Sequence, residues 1–172
     1  METGKTRTSG LAFVLRFLAL LFVFYVVSAL DPVNDRVIVP FTQLVVGATA
    51  FILRSFHQPI YVVGTVINSP HFALDVRTGC NGVEAMMVLA GAMLAFPATL
   101  RSRIAGLLVG TLAIQILNLV RVSSLVWLGE HHRQFFDFVH VGVWQSLVIL
   151  AAVSMFIFWS WKFAEKPLPT AS

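Results

Sequence analysis

Runs of roughly 20 mainly apolar residues, with charges gathered between them, leave this chain few possible folds. The first run, 11–30, reads LAFVLRFLALLFVFYVVSAL and is interrupted only by Arg16. Further spans are expected over about 82–96, 104–128 and 139–161. Another apolar stretch, about 37–56, carries Pro40, Gln43 and Arg54. Charged residues make up 12% of the chain and mean hydropathy is +0.84. A soluble domain carries about 25% charged residues, so the composition indicates a membrane protein. The first run lacks a small-residue cleavage site and is long for a signal peptide, so it reads as a retained span.

Charge placement gives a topology. Lys5 and Arg7 precede the first span, Arg101 and Arg103 separate two later ones, and Lys162 and Lys166 follow the last. The positive-inside rule places all three groups in the cytoplasm. The net charge of +4 is therefore clustered at segment ends and does not form the continuous basic face that nucleic acid requires. The segment 31–79 then lies outside. Its stretch 37–56 is expected as an interfacial or re-entrant helix. The β-branched runs YVVGTVI and FALDV flank Asn68-Ser69-Pro70 and are expected as a short β-hairpin or an extended loop. A rival count of five spans would leave Lys5 and Arg7 outside. The expectation is one all-α integral membrane domain over 1–172, with about four transmembrane helices, one interfacial or re-entrant helix and a short extracytoplasmic hairpin.

This topology gathers reactive groups on one side. Cys80, the single cysteine, starts one span in the run Gly79-Cys80-Asn81-Gly82-Val83-Glu84. A helix N-terminus favours a thiolate, and the flanking glycines admit a substrate backbone. The bland alternative is an unreactive packed thiol. Arg121 lies within the next span, where a charge costs at least about 2.5 kcal/mol and so tends to have a task. Thr111, Gln115, Asn118 and Arg121 share about 120° of helical arc, a polar stripe on an apolar helix. Pairing of Arg121 with Glu84 or Glu130 is the structural alternative. The helix end expected at 128 places Arg121 roughly 10 Å deeper than Cys80, a gap that a snorkelling side chain can cross. His140 opens the last span with a side chain suited to act as general base or acid beside a thiol. His57, His71, His131 and His132 lack ligand-like spacing, and no metal or cofactor is expected. Glu84 is placed to orient Arg121 or a substrate amide. Gly106 and Gly110 form a small-xxx-small pair that reads as helix packing.

Gly79-Cys80-Asn81-Gly82, then Asn118-Leu119-Val120-Arg121, then His140 resemble the exosortase/archaeosortase pattern of Cys-x-Gly, Asn-x-x-Arg and a later His. The runs GCNGVEA, AFPATLRSR, QILNLVRV and HVGVWQSL look like the H-type exosortase subgroup, over about 11–161. The resemblance implies a multi-pass cysteine protease of the bacterial inner membrane, a transpeptidase with its active site on the periplasmic side. Cys80 would be the nucleophile, His140 the general base or acid, and Arg121 the oxyanion or carbonyl ligand. Asn118, Glu84, Gly82 and Gln115 would support them or bind substrate. Implied substrates are exported proteins ending in an IPTLxxWG-type motif, a transmembrane helix and a basic tail. The remaining alternatives are a non-enzymatic assembly factor, which would tolerate loss of Cys80, and a small transporter, for which no inverted repeat is visible. A haem or metal protein would need a second intramembrane histidine at helical spacing.

Overall fold

A computed structural model describes residues 3–77 and 79–163, with side chains described from Gly10 onward. The side chains of Lys5 and Arg7, and all of Lys166, lie outside the described residues. Five helices and a small sheet make up the described chain: α1 (Thr3–Ser28), α2 (Asp31–Ser55), β1 (Tyr61–Val63), β2 (Val66–Asn68), β3 (Ala73–Asp75), α3 (Val83–Ala95), α4 (Leu100–His131) and α5 (Phe138–Phe163). Four helices are long and apolar enough to cross a membrane: 10–28, 31–55, 100–131 and 138–163. The number agrees with the expected four, but the membership differs. Residues 82–96 supply only the 13-residue α3, about 20 Å at 1.5 Å per residue. The 37–56 stretch belongs to a 25-residue helix that begins at Asp31.

α3 is the hub, packed against α1, α4 and α5. Its end is set by Pro97, which pushes Phe96 into extended backbone (ψ 139°). The turn is closed by Arg103, whose Nη2 donates to the Phe96 carbonyl at 2.9 Å. Thr99 then caps α4, its Oγ1 accepting the Ser102 N–H at 3.4 Å. Gly106 and Gly110 do serve packing, though toward different helices. A side chain at Gly106 would meet the Trp159 indole of α5, and one at Gly110 would meet Leu89 of α3. Trp159 Nε1 also donates to the Ser102 carbonyl at 3.1 Å, so the basic turn at Arg101 and Arg103 lies beside the C-terminal end of α5.

Two apolar clusters divide the molecule. One joins Leu89 and Met93 of α3 to Ile114, Ala152 and Trp159 at the basic end. The other joins Val46, Ala50 and Leu53 of α2 to Ile67 and Leu74 of the sheet, Val122, Leu125 and Val126 of α4, and Cys80. α2 therefore packs along the far half of α4 and beneath the sheet. Apolar side chains such as Phe22, Phe51, Leu108 and Phe158 face outward, as lipid contact requires.

The expected hairpin gains a third strand, making an antiparallel meander β1-β2-β3. Val62 pairs with Ile67, and Ile67 with Leu74. Ile67 and Leu74 point into the core while Tyr61 and Val63 stay exposed, the alternation of a one-sided sheet. The β2–β3 turn is clasped by Glu130, which accepts from Ser69 Oγ at 2.6 Å and the His71 N–H at 3.1 Å, and contacts His71 Nδ1 at 2.7 Å.

Candidate active site

The loop entering α3 is shaped by two glycines. Gly79 and Gly82 have φ of +91° and +81°, a region L side chains rarely adopt. Between them, the Cys80 N–H donates to the Arg77 carbonyl at 2.8 Å. Asn81 is fully buried. Its Oδ1 accepts the Val83 N–H at 3.1 Å, and its Nδ2 donates to Thr42 Oγ1 of α2 at 3.0 Å. From α4, Gln115 Nε2 donates to the Asn81 carbonyl at 3.3 Å. The loop is thus pinned from both sides, by α2 and by α4.

These fixings bring the three expected groups together. Cys80 Sγ lies 3.0 Å from His140 Nε2. Arg121 donates from Nη1 to the Gly79 carbonyl at 3.1 Å, and its Nη2 lies 3.9 Å from Cys80 Sγ. Cys80 is 9% exposed and Arg121 only 3%. His140 sits in a π-helical turn, Phe138–Trp144, that opens α5. Such wide turns recur at functional sites because they re-aim side chains. Arg121 needs no snorkelling, because α4 continues to His131 and the Cys80 loop meets it at the level of Asn118 and Arg121.

The carboxylate pairing considered for Arg121 is not made. Ion pairs among the described residues are His71–Glu130 and Arg77–Asp75. A guanidinium buried without an acidic partner is costly unless something anionic arrives. Arg121 Nε, Gln115 Oε1 and both amide atoms of Asn118 also lack hydrogen-bond partners among the described residues. These three side chains share one face of α4 and are three of the four residues of the expected polar stripe; the fourth, Thr111, is exposed. Asn118 and Gln115 crowd Gly82, where a Cβ would come within 2.8 Å of Gln115 Nε2.

A cavity of about 320 Å³ opens beside this cluster. Gly79, Gly82, Glu84, Arg121 and Gln145 give its polar end; Val88, Val148 and Ile149 give its apolar wall between α3 and α5. Tyr25 of α1 closes a third side. A larger cavity, about 560 Å³ between α2 and α4, is apolar and holds none of these groups. His57, His71, His131 and His132 stay away from the cluster, and no group able to hold a metal ion occurs among the described residues.

One electrostatic expectation changes. Cys80 lies two residues before the Gly82 N-cap of α3, outside the first turn. Burial pushes its thiol up from the ordinary value, the Arg121 charge pulls it down, and Glu84 pushes it up again, with a net rise. Burial thus outweighs the guanidinium at this sulfur. Sequence reasoning also missed Thr42 and the anchoring role of Asn81. An Asx cap beside Gly-Val was legible at Asn81, whereas nothing local marks Thr42.

The fold and site define a multi-pass helical membrane protein in which a buried cysteine touches a half-buried histidine on one side and a buried arginine on the other. Residues 6–159 match the transmembrane exosortase family, and the chain belongs to that family. No curated protein matches the chain, and no solved structure does.

Proposed function

We propose that this exosortase is a membrane cysteine protease, acting as a transpeptidase, that cuts C-terminal sorting signals of exported proteins through a thioester. One observation carries the reading: the lone thiol stands 3.0 Å from an imidazole nitrogen, beside a buried arginine that no carboxylate among the described residues pairs with. As Cys80 Sγ attacks the scissile carbonyl carbon, the thiol proton passes to His140 Nε2. The tetrahedral adduct carries an oxyanion, for which the Arg121 guanidinium is the nearest unneutralised cation. Its collapse breaks the C–N bond as His140 returns the proton to the departing amine, leaving an acyl group on sulfur. Gln115 ties the loop to α4 through the Asn81 carbonyl, Asn118 packs against Gly82, and the glycine leaves both room.

The substrates that fit are those of the H-type subgroup, with an IPTLxxWG-type motif, a transmembrane helix and a basic tail. The apolar cleft of Val88, Val148 and Ile149 beside Cys80 suits a helix arriving sideways from lipid. We place the protein in the bacterial inner membrane with the site on the periplasmic side. Arg101, Arg103 and Lys162 gather at the end of the bundle opposite Cys80, where the positive-inside rule puts the cytoplasm.

The test is processing of a co-expressed reporter bearing such a tail, followed by gel mobility. Wild type should shorten it, while Cys80→Ala, Arg121→Ala and His140→Ala should fail although they accumulate in the membrane. Normal cleavage by Cys80→Ala would refute the thiol mechanism and bring forward an assembly or transport role.

A further inference from the structure

The acyl-enzyme needs an acceptor, and the cavity beside Cys80 carries a feature that bears on its chemistry. Glu84 lines that cavity together with Arg121 and Gly79. It has no ion-pair or hydrogen-bond partner among the described residues, and neither does the Nε of the buried Arg121. Glu84 is not occupied with capping α3 either. Asn81 Oδ1 takes the Val83 N–H, and Gly82 is the N-cap with no side chain to offer. One small cavity therefore presents an unneutralised guanidinium and an unneutralised carboxylate that do not reach each other. Each waits for a partner of opposite charge.

Two acceptors differ in what they would place there. Water attacks a thioester with its proton passing to a base such as His140, so its adduct presents an oxyanion alone. An amine gives an adduct with negative oxygen and positive nitrogen on the same carbon. Arg121 matches the oxygen in both cases, but only the amine supplies a cation for Glu84.

We propose that Glu84 is the acceptor-binding residue and that the acceptor is a primary amine entering as an ammonium ion; this rests on the thioester reading above. The ammonium docks on the Glu84 carboxylate and loses one proton to bulk water. The neutral nitrogen attacks the thioester carbon, forming the C–N bond. The adduct nitrogen then passes its extra proton to His140 Nε2, the C–S bond breaks, and His140 protonates the departing sulfur. Acyl thioester and ammonium become amide, thiol and one released proton. By microscopic reversibility, the amine expelled during acylation passes the same carboxylate.

The experiment compares two nucleophiles in membranes holding the full chain and the tailed reporter. Hydroxylamine is uncharged at neutral pH, whereas ethanolamine is a cation. Mass spectrometry of the released reporter gives the ratio of ethanolamide to hydroxamate, which does not depend on how much enzyme is folded. Glu84→Gln should lower that ratio by about tenfold or more, and Glu84→Asp should restore part of it. A ratio in Glu84→Gln within about twofold of wild type would overturn the assignment. Absence of hydroxamate from wild type is a different failure: it would refute the thioester itself, and this inference with it.

Discussion

Replacing Gly82 with alanine tests the geometry of the loop most directly, because two separate costs meet there. The first is conformational. At φ +81°, a residue with a Cβ pays about 1–2 kcal/mol. The second is space. The new methyl would lie 2.8 Å from Gln115 Nε2, 3.2 Å from Asn118 Cγ and 3.3 Å from Asn118 Nδ2. Gln115 can yield, but only by giving up its bond to the Asn81 carbonyl, worth about 1 kcal/mol. Asn118 is 1% exposed and cannot swing out, so overpacking against it adds about 1–3 kcal/mol. Gly79→Ala is the internal control, since its φ is +91° but a methyl there meets nothing within 4 Å. Gly82→Ala should therefore cost about 2–4 kcal/mol more than Gly79→Ala. If the loop relieves the strain by moving about 1 Å, reporter processing falls about 100-fold. If the fold absorbs it, the thermal midpoint in detergent falls instead. Combining Gly82→Ala with Gln115→Ala should recover part of the loss. Wild-type processing and melting of Gly82→Ala, or a larger loss in Gly79→Ala, would contradict a tight contact at Gly82.

Three further outcomes follow from the same contacts. The buried Cys80 thiol, pushed up from its ordinary value, should react with iodoacetamide at a rate that climbs with pH through about 8.5 without levelling. Arg121→Met should slow that reaction and Glu84→Gln should speed it, and a plateau below about pH 8 would contradict the direction. Thr42→Val leaves the Asn81 amide unpaired in a fully buried setting and should cost about 1–3 kcal/mol in the detergent thermal midpoint; an unchanged midpoint would mean that α2 does not anchor the loop. Glu130→Ala removes the acceptor shared by Ser69 and His71, so backbone amides of β2 and β3 should exchange faster while those of α3 do not; equal exchange would refute the clasp.

The three central residues were legible because each depends on rules that act over long stretches of chain. Apolar run length located the helices, basic residues oriented them, and orientation alone put Cys80, Arg121 and His140 on one side. The 3.6-residue period then singled out Gln115 and Asn118, which meet the loop as that face requires. Contacts set by tertiary packing were not legible. No periodicity announces that α2 will offer Thr42 to Asn81, or that α5 will open with a π-helical turn aiming His140 at Cys80. Nor was the two-residue offset between Cys80 and the true start of α3 legible, since it is smaller than the uncertainty with which any helix end can be read from sequence.

α3 is also too short to cross a membrane alone. A 13-residue helix covers about 20 Å, against the roughly 30 Å of a hydrocarbon core. α3 spends its length between the basic turn at Arg101 and the level of Asn118, and the glycine-flanked loop continues from there. Exposed to lipid, such non-helical backbone would leave polar groups unpaired at a cost of several kcal/mol each. Here it is enclosed: α4 covers it through Gln115 and Arg121, α2 through Thr42, and the mouth of α5 through His140. This accounts for the placement of α2, which is long and apolar enough to span yet puts its core contacts, Val46, Ala50 and Leu53, in the cluster on the Cys80 side. α2 thus backs the loop on the side where Thr42 meets Asn81. The cavity lined by Glu84, Arg121 and the α3–α5 wall has no α2 residue in its lining. The shortness of α3 and the length of α2 are thus two parts of one arrangement, in which Cys80, His140 and Arg121 meet at a loop whose backbone is enclosed by the neighbouring helices.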